Sequence, residues 1–245
     1  MVDIVSRNIV TLNNVTHKDL KIITHYSAQF GNNLHAVLTF PTEFADIQRE
    51  YPILFQKNPA TDKFQSIALL GIAPGENLFL NNNQWSARYV PAIVTREPFI
   101  IGFEDQSANG GDEHALVVMV DMDSPRVNTR EGEAVFLQFG GNTRYLEKIN
   151  NVLQKIYQGT SISDAMFDAY NQLELIEPVN LEITLNNGDV HRLSGNYTIS
   201  QEKLYALSGD DLAKLNAAGF LESAFLIINS LNNMKNLIDI KNSRL

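Results

Sequence analysis

Two aspartates, Asp121 and Asp123, stand one residue apart directly after the apolar run Leu116–Val120. An Asp-x-Asp at the end of a strand is how some phosphoryl-transfer enzymes present a nucleophile and an acid/base to a phosphate with Mg²⁺. Gly209-Asp210-Asp211 would then imitate a second metal-binding position. The neighbouring residues argue for another role. Ser124-Pro125 makes a turn where such chemistry wants a helix start, and the residues before Gly209 are mixed rather than a buried strand. Short acidic side chains in turns accept backbone N–H bonds. On that reading Asp123 closes the turn and Asp121 pairs with Arg126 or Arg130.

The stretch from Trp85 to Phe99 is the other concentration of chemistry. It holds the only tryptophan, two prolines, Arg88, Tyr89, Arg96 and Phe99. Large rings and planar cationic forks gather in this way at core corners or at binding surfaces. As a binding surface, Trp85 and Tyr89 would stack on a ligand while Arg88 or Arg96 clamps a carboxylate. As a core corner, the same rings pack at a sheet edge and the prolines end the strands.

Other familiar site patterns are missing. The histidines, at 17, 25, 35, 114 and 191, form no His-x-His or His-x-x-x-His pair. Gly-x-Ser-x-Gly, Gly-x-Gly-x-x-Gly and the phosphate-binding P-loop do not occur. No cysteine is present, so disulfides, thiol catalysis and cysteine-ligated metals are excluded. No cofactor and no metal site is implied.

The elements that must position these residues change character along the chain. Short strand-like runs come first: Leu34–Phe40, Ile53–Gln56, Phe64–Leu70, Leu78–Leu80, Arg88–Val94, Phe99–Phe103 and Leu116–Val120, the last expected to be buried on both faces. A short helix should run from Pro41 to Tyr51, and Asn109–Asp112 reads as a loop. Thr143–Tyr157 has helical spacing and Gly159 reads as its stop; Ser161 or Ser163 caps a second helix that ends at Pro178. Leu181–Leu185 and Val190–Thr198, joined by Asn186-Asn187-Gly188-Asp189, form the clearest hairpin. Helices should then start at Ser200 and Ser208, and Phe220–Ile240 reads as one long helix. Strands first and helices afterwards, without βαβ alternation, predict an α+β fold: a β-rich half to about residue 140 with a mixed or antiparallel sheet, and a helical half carrying a hairpin. With no Pro- or Ser-rich linker at Gly140-Gly141, the halves are expected to share one domain.

Composition bounds the partners. The 245 residues are 44% hydrophobic and 19% charged, as in folded proteins able to bury a core. A net charge of −9 and scattered basic residues argue against nucleic acid. The longest apolar runs fall well short of the ~20 residues of a membrane helix. Met1–Asn8 has an acid at position 3 and no apolar core, so it does not read as a secretory signal. A cytoplasmic location is the expectation, with non-classical export to the cell surface left open. The apolar residues of Phe220–Ile240 are spread more widely than one face, which suggests a homodimer through that helix.

Three blocks of the chain resemble the bacterial SapC family, which takes its name from a surface-layer-associated protein. The first is Trp85…Tyr89-Val90-Pro91-Ala92…Arg96…Pro98-Phe99, preceded by Tyr51–Phe55, Ala68–Gly71 and Gly75–Phe79. The second is Val120–Arg126 with Gly132–Phe136, where Val135-Phe136 replaces the family's usual leucine–phenylalanine pair. The third runs from Leu181 through Leu193–Tyr197 to Ser230-Leu231. The resemblance spans roughly residues 30 to 240. Members tend to be encoded beside tryptophan-halogenase-like flavoenzymes and outer-membrane receptors, which implies a flavin-dependent halogenase-like enzyme as one candidate partner. The family supplies no catalytic residues to carry over.

These readings converge on a non-catalytic binding or accessory protein that acts on a protein or small-molecule partner. Its binding residues would be Trp85, Arg88, Tyr89, Arg96, Phe99, Asp121, Asp123 and Arg126. The alternative is a metal-dependent small-molecule or phosphate-ester enzyme using Asp121 and Asp123.

Overall fold

The computed structural model describes residues 7–104 and 115–245. The expected loop at Asn109–Asp112 and His114 lie outside the described residues. The first half contains strands β1 (Ile9–Thr11), β2 (Lys21–Ile22), β3 (Ala36–Leu38), β4 (Ile53–Lys57), β5 (Phe64–Leu69), β6 (Leu80–Asn81), β7 (Gln84–Trp85), β8 (Phe99–Glu104), β9 (Ala115–Asp121), β10 (Val127–Asn128) and β11 (Glu133–Ala134). Two short helices interrupt them, α1 (Phe44–Ile47) and α2 (Ala92–Thr95). The second half is α3 (Arg144–Gln172), the hairpin β12 (Ile176–Thr184) and β13 (Val190–Ile199), and helices α4 (Gln201–Tyr205), α5 (Gly209–Ala217), α6 (Phe220–Ser230) and α7 (Asn233–Asn242). The fold is α+β, as the order of elements predicts.

The largest sheet has strand order β12-β13-β4-β5-β3 with antiparallel neighbours, so the hairpin of the second half joins the strands of the first. A separate three-stranded sheet, β1-β9-β8, is also antiparallel. Each sheet has its own apolar core. Tyr51, Ile53, Phe55 and Phe44 are fully buried with Met166 and Tyr170 around the large sheet. Phe99, Val120 and Ile22 are buried with Leu146, Ile149 and Leu153 around the small one. Helix α3 therefore serves both cores, its first turns one and its last turns the other.

Several local expectations are corrected. Gly159 does not stop a helix; α3 runs through it for 29 residues. A Cβ at 159 would sit 2.5 Å from Phe40 Cβ and 2.6 Å from Thr42 Oγ1, so glycine lets the helix pack against the side chains of the Phe40–Thr42 turn. Pro178 lies inside β12 opposite Tyr197, on the outer strand of the sheet, where a missing N–H is tolerated. Arg88–Val94 is not a strand. The carbonyl of Pro91 accepts from Val94 N and Thr95 N, each at 3.0 Å, which winds α2 immediately after the proline. Leu116–Val120 is a strand but is not buried on both faces, because Leu116 is 52% exposed while Val120 is fully buried. A three-stranded sheet leaves the far end of its central strand beyond the core.

Phe220–Ile240 is two helices rather than one. The break falls at Leu231-Asn232, where backbone N–H groups bond three residues back, Leu231 N to Ile228 O and Asn232 N to Asn229 O. Polar anchors flank it: Ser230 Oγ accepts from Ile53 N at 2.8 Å, and Asn233 Nδ2 donates to Gln48 O at 2.8 Å. These bonds satisfy backbone groups between α1 and β4. Outside the core, Phe225 is 37% exposed and packs beside Tyr205.

Candidate functional site

Strands β8 and β9 bring the two chemical stretches together. Phe99 pairs with Val120 in register, so the residues just before β8 meet those just after β9. Asp121 N donates to Pro98 O at 3.2 Å. Helix α2 ends at Thr95 with Arg96 as its C-cap, and the segment Arg96-Glu97-Pro98 thus faces the turn Asp121–Pro125. A hollow of about 390 Å³ opens between them, lined by Arg96, Glu97, Asp121 and Asp123, with Arg7 at its edge and Phe30 and Ile100 among its apolar walls.

The turn is closed by Asp121 rather than by Asp123, whose carboxylate instead accepts a backbone N–H from the N-terminal segment. Asp121 Oδ1 accepts from Asp123 N at 3.1 Å, and Asp123 Oδ2 accepts from Asn8 N at 2.8 Å. Asp121 does not pair with Arg126 or Arg130; its cationic neighbour is Arg7, with Nη1 3.9 Å from Oδ2. Arg7 is largely exposed and that contact is loose, so it contributes little to stability. Arg96 donates from Nη1 to Phe99 O at 2.7 Å. Burial lowers its proton affinity, Glu97 opposes that, and nearby Arg7 adds to it.

A second hollow, of about 230 Å³, lies on the other side of Glu97. Tyr26, Glu97, Arg126, Glu133, Tyr145 and Lys148 line it over a floor of Val94 and Ile149. Arg126 is only 3% exposed. It donates from Nη1 to Ile23 O and His25 O at 2.9 and 2.8 Å, and from Nη2 to Asn32 Oδ1 at 2.8 Å. Its guanidinium lies 4.6 Å from the centre of the Phe30 ring. Among the described residues its Nε has no hydrogen-bond partner, and it stands 3.6 Å from Glu97 Oε2. Four titratable groups here are perturbed. Burial raises the Glu97 carboxyl against the pull of Arg126 and Arg96, raises the Tyr26 and Tyr145 hydroxyls, and lowers Arg126. Such groups converging on a cleft mark a candidate site.

The remaining residues of the expected site lie elsewhere. Phe99 is fully buried in the core of the small sheet and offers no surface to a ligand. Trp85 is half-buried; its Nε1 donates to Tyr51 Oη at 2.7 Å and its ring meets Tyr26 edge-to-face at 5.4 Å. Tyr89 donates through its hydroxyl to Glu43 Oε2 at 2.7 Å. Glu43 is 1% exposed and also accepts from Ala92 N and Thr39 Oγ1, each at 2.9 Å. Burial raises its carboxyl in spite of these bonds and of Lys155. Arg88 is exposed, and its backbone N–H rests on the carboxylate of Glu50. So Trp85 and Tyr89 belong to a hydrogen-bonded aromatic corner, while Arg96, Asp121 and Asp123 share a hollow and Arg126 lines the next.

Glu97, Tyr26 and Tyr145 were not expected. Glu97 did carry a signal, an acid held between an arginine and a proline inside the Trp85–Phe99 stretch. Among the described residues, no three His, Asp or Glu side chains gather closely enough to hold a metal ion.

The blocks that form this region are those that carry the family resemblance, and a family model for SapC matches residues 12–237, nearly the whole chain. The chain belongs to the SapC family. No curated protein and no solved structure is significantly similar to it. Among the described residues of this SapC-family protein, no helix is long and apolar enough to cross a membrane.

Proposed function

We propose that this SapC-family protein is a non-catalytic binding protein whose ligand is a small polar molecule held in the cleft around Glu97. The observation that carries this reading is the meeting of two hollows at one carboxylate, with Arg96 on one side and Arg126 on the other. A cavity of a few hundred Å³ with a few converging polar groups is the usual form of a small-molecule site. The phosphoryl-transfer alternative is weaker, because among the described residues no third His, Asp or Glu gathers with Asp121 and Asp123 closely enough to hold the metal it would use. The family resemblance adds a protein partner to the proposal, a flavin-dependent halogenase-like enzyme to which the bound molecule would be presented.

Thermal shift against amino acids, small carboxylates, amines, sugars and phosphate esters tests the reading. A ligand at a hundred times its dissociation constant stabilises by about 2.7 kcal/mol, or about 5–10 °C for a chain of this size. At least one class should give such a shift, and Arg96→Gln or Glu97→Gln should remove it. No shift from any class, or a shift that survives both substitutions, contradicts the site.

A further inference from the structure

We infer that the larger hollow takes a zwitterion, an α-amino acid with an apolar side chain, its carboxylate on Arg96 and Arg7 and its ammonium on Asp121 and Asp123. This rests on the small-molecule reading and narrows it to one chemical class. The hollow is lined by two guanidinium groups and three carboxylates, with Phe30, Pro98, Ile100 and Pro125 between them. An anion alone would enter a space dominated by Glu97, Asp121 and Asp123. A cation alone would meet Arg7 and Arg96. A molecule bearing both charges answers both sets, and the apolar walls have room for a side chain.

The local bonding agrees. Arg7 and Arg96 are near enough for one to disfavour the other's charge, and a carboxylate between them would relieve that repulsion. Asp123 N holds Asp121 Oδ1 and Asn8 N holds Asp123 Oδ2, so among the described residues the second oxygen of each carboxylate is left for an ammonium. Only the loose contact with Arg7 would be exchanged. The rings of Phe30, Pro98 and Pro125 and the branched chain of Ile100 favour an aliphatic or aromatic side chain over a charged one.

Isothermal titration of the full chain decides. The probes are L-leucine and L-phenylalanine, each beside the amine that lacks its carboxylate and the acid that lacks its ammonium. At least one amino acid should bind tenfold or more tightly than either of its single-charge counterparts. Arg96→Gln and Asp123→Asn should each weaken that binding at least tenfold. Arg7→Gln, at a mostly exposed position, keeps the test open if the others fold poorly, and should weaken binding at least threefold. If the acid binds as tightly as the amino acid and Arg96→Gln abolishes both, the zwitterion inference falls and the small-molecule site stands. If amino-acid binding ignores all three substitutions, the hollow is not its site and the inference falls. If no probe binds, the inference falls, and the wider thermal-shift panel then decides the parent reading separately.

Discussion

Glu97 Oε2 stands 3.6 Å from Nε of Arg126, and Glu97 lines both hollows of the cleft while Arg126 lines only the smaller. Arg126 is almost entirely buried while the Glu97 side chain is 39% exposed. One side of the pair is therefore fixed by protein and the other is reachable from solvent. Arg126 also ties together the segments that carry Ile23, His25 and Asn32.

Arg126→Lys should destabilise the protein by about 2–3 kcal/mol despite keeping the charge. A lysine ammonium cannot reproduce a planar fork serving three oxygens and stacked on Phe30, and a buried acceptor left unpaired costs about 1–3 kcal/mol. Urea melts measure this. A loss under 0.5 kcal/mol would show that Arg126 does not organise the cleft. Glu97→Gln should cost less, about 1 kcal/mol, because solvent screens the exposed partner.

The pH dependence should isolate Glu43. Its carboxyl is raised above the ordinary 4.5 by burial. A raised folded-state value means the folded protein holds the proton more tightly than the unfolded chain, so stability is lost as pH climbs from about 4.5 through the raised value. Glu43→Gln removes that term and keeps the shape. Wild-type stability minus variant stability should fall across this window in denaturant melts taken at several pH values. Parallel curves would contradict the assignment.

Gly159→Ala should destabilise by about 1–2 kcal/mol, although alanine is the better helix former by about 1 kcal/mol. The new methyl meets Phe40 Cβ and Thr42 Oγ1 at under 3 Å, and overpacking of this kind costs about 1–3 kcal/mol or more. Stabilisation on substitution would mean that α3 does not touch that turn. The same glycine shows where the sequence misleads. Read locally it is a helix stop, because its use appears only when residues far apart in the chain meet.

Elements governed by neighbouring residues were legible. Alternation and Asn-Gly chemistry marked the β12–β13 hairpin, and Thr143 and Ser208 cap α3 and α5 through bonds to Leu146 N and Asp211 N. Phe220–Ile240 reads as continuous because no Gly or Pro marks the break, and the bonds that flank it, to Ile53 and Gln48, come from distant parts of the chain. The site was legible in parts. Arg96, Asp121 and Asp123 stood out by type, but only the β8–β9 register places them around one hollow. Trp85 stood out equally, yet its indole N–H goes to Tyr51. A ring's type does not say whether its polar edge meets a ligand or the protein.

The most direct test of the account is amide chemical-shift mapping by NMR during titration with the amino acid that binds. Saturable shifts should be confined to residues 7–8, 95–100, 121–126 and the vicinity of Phe30. Saturable shifts centred instead on Arg88, Trp85 or the Phe225–Tyr205 surface, with the Glu97 region unmoved, would contradict it.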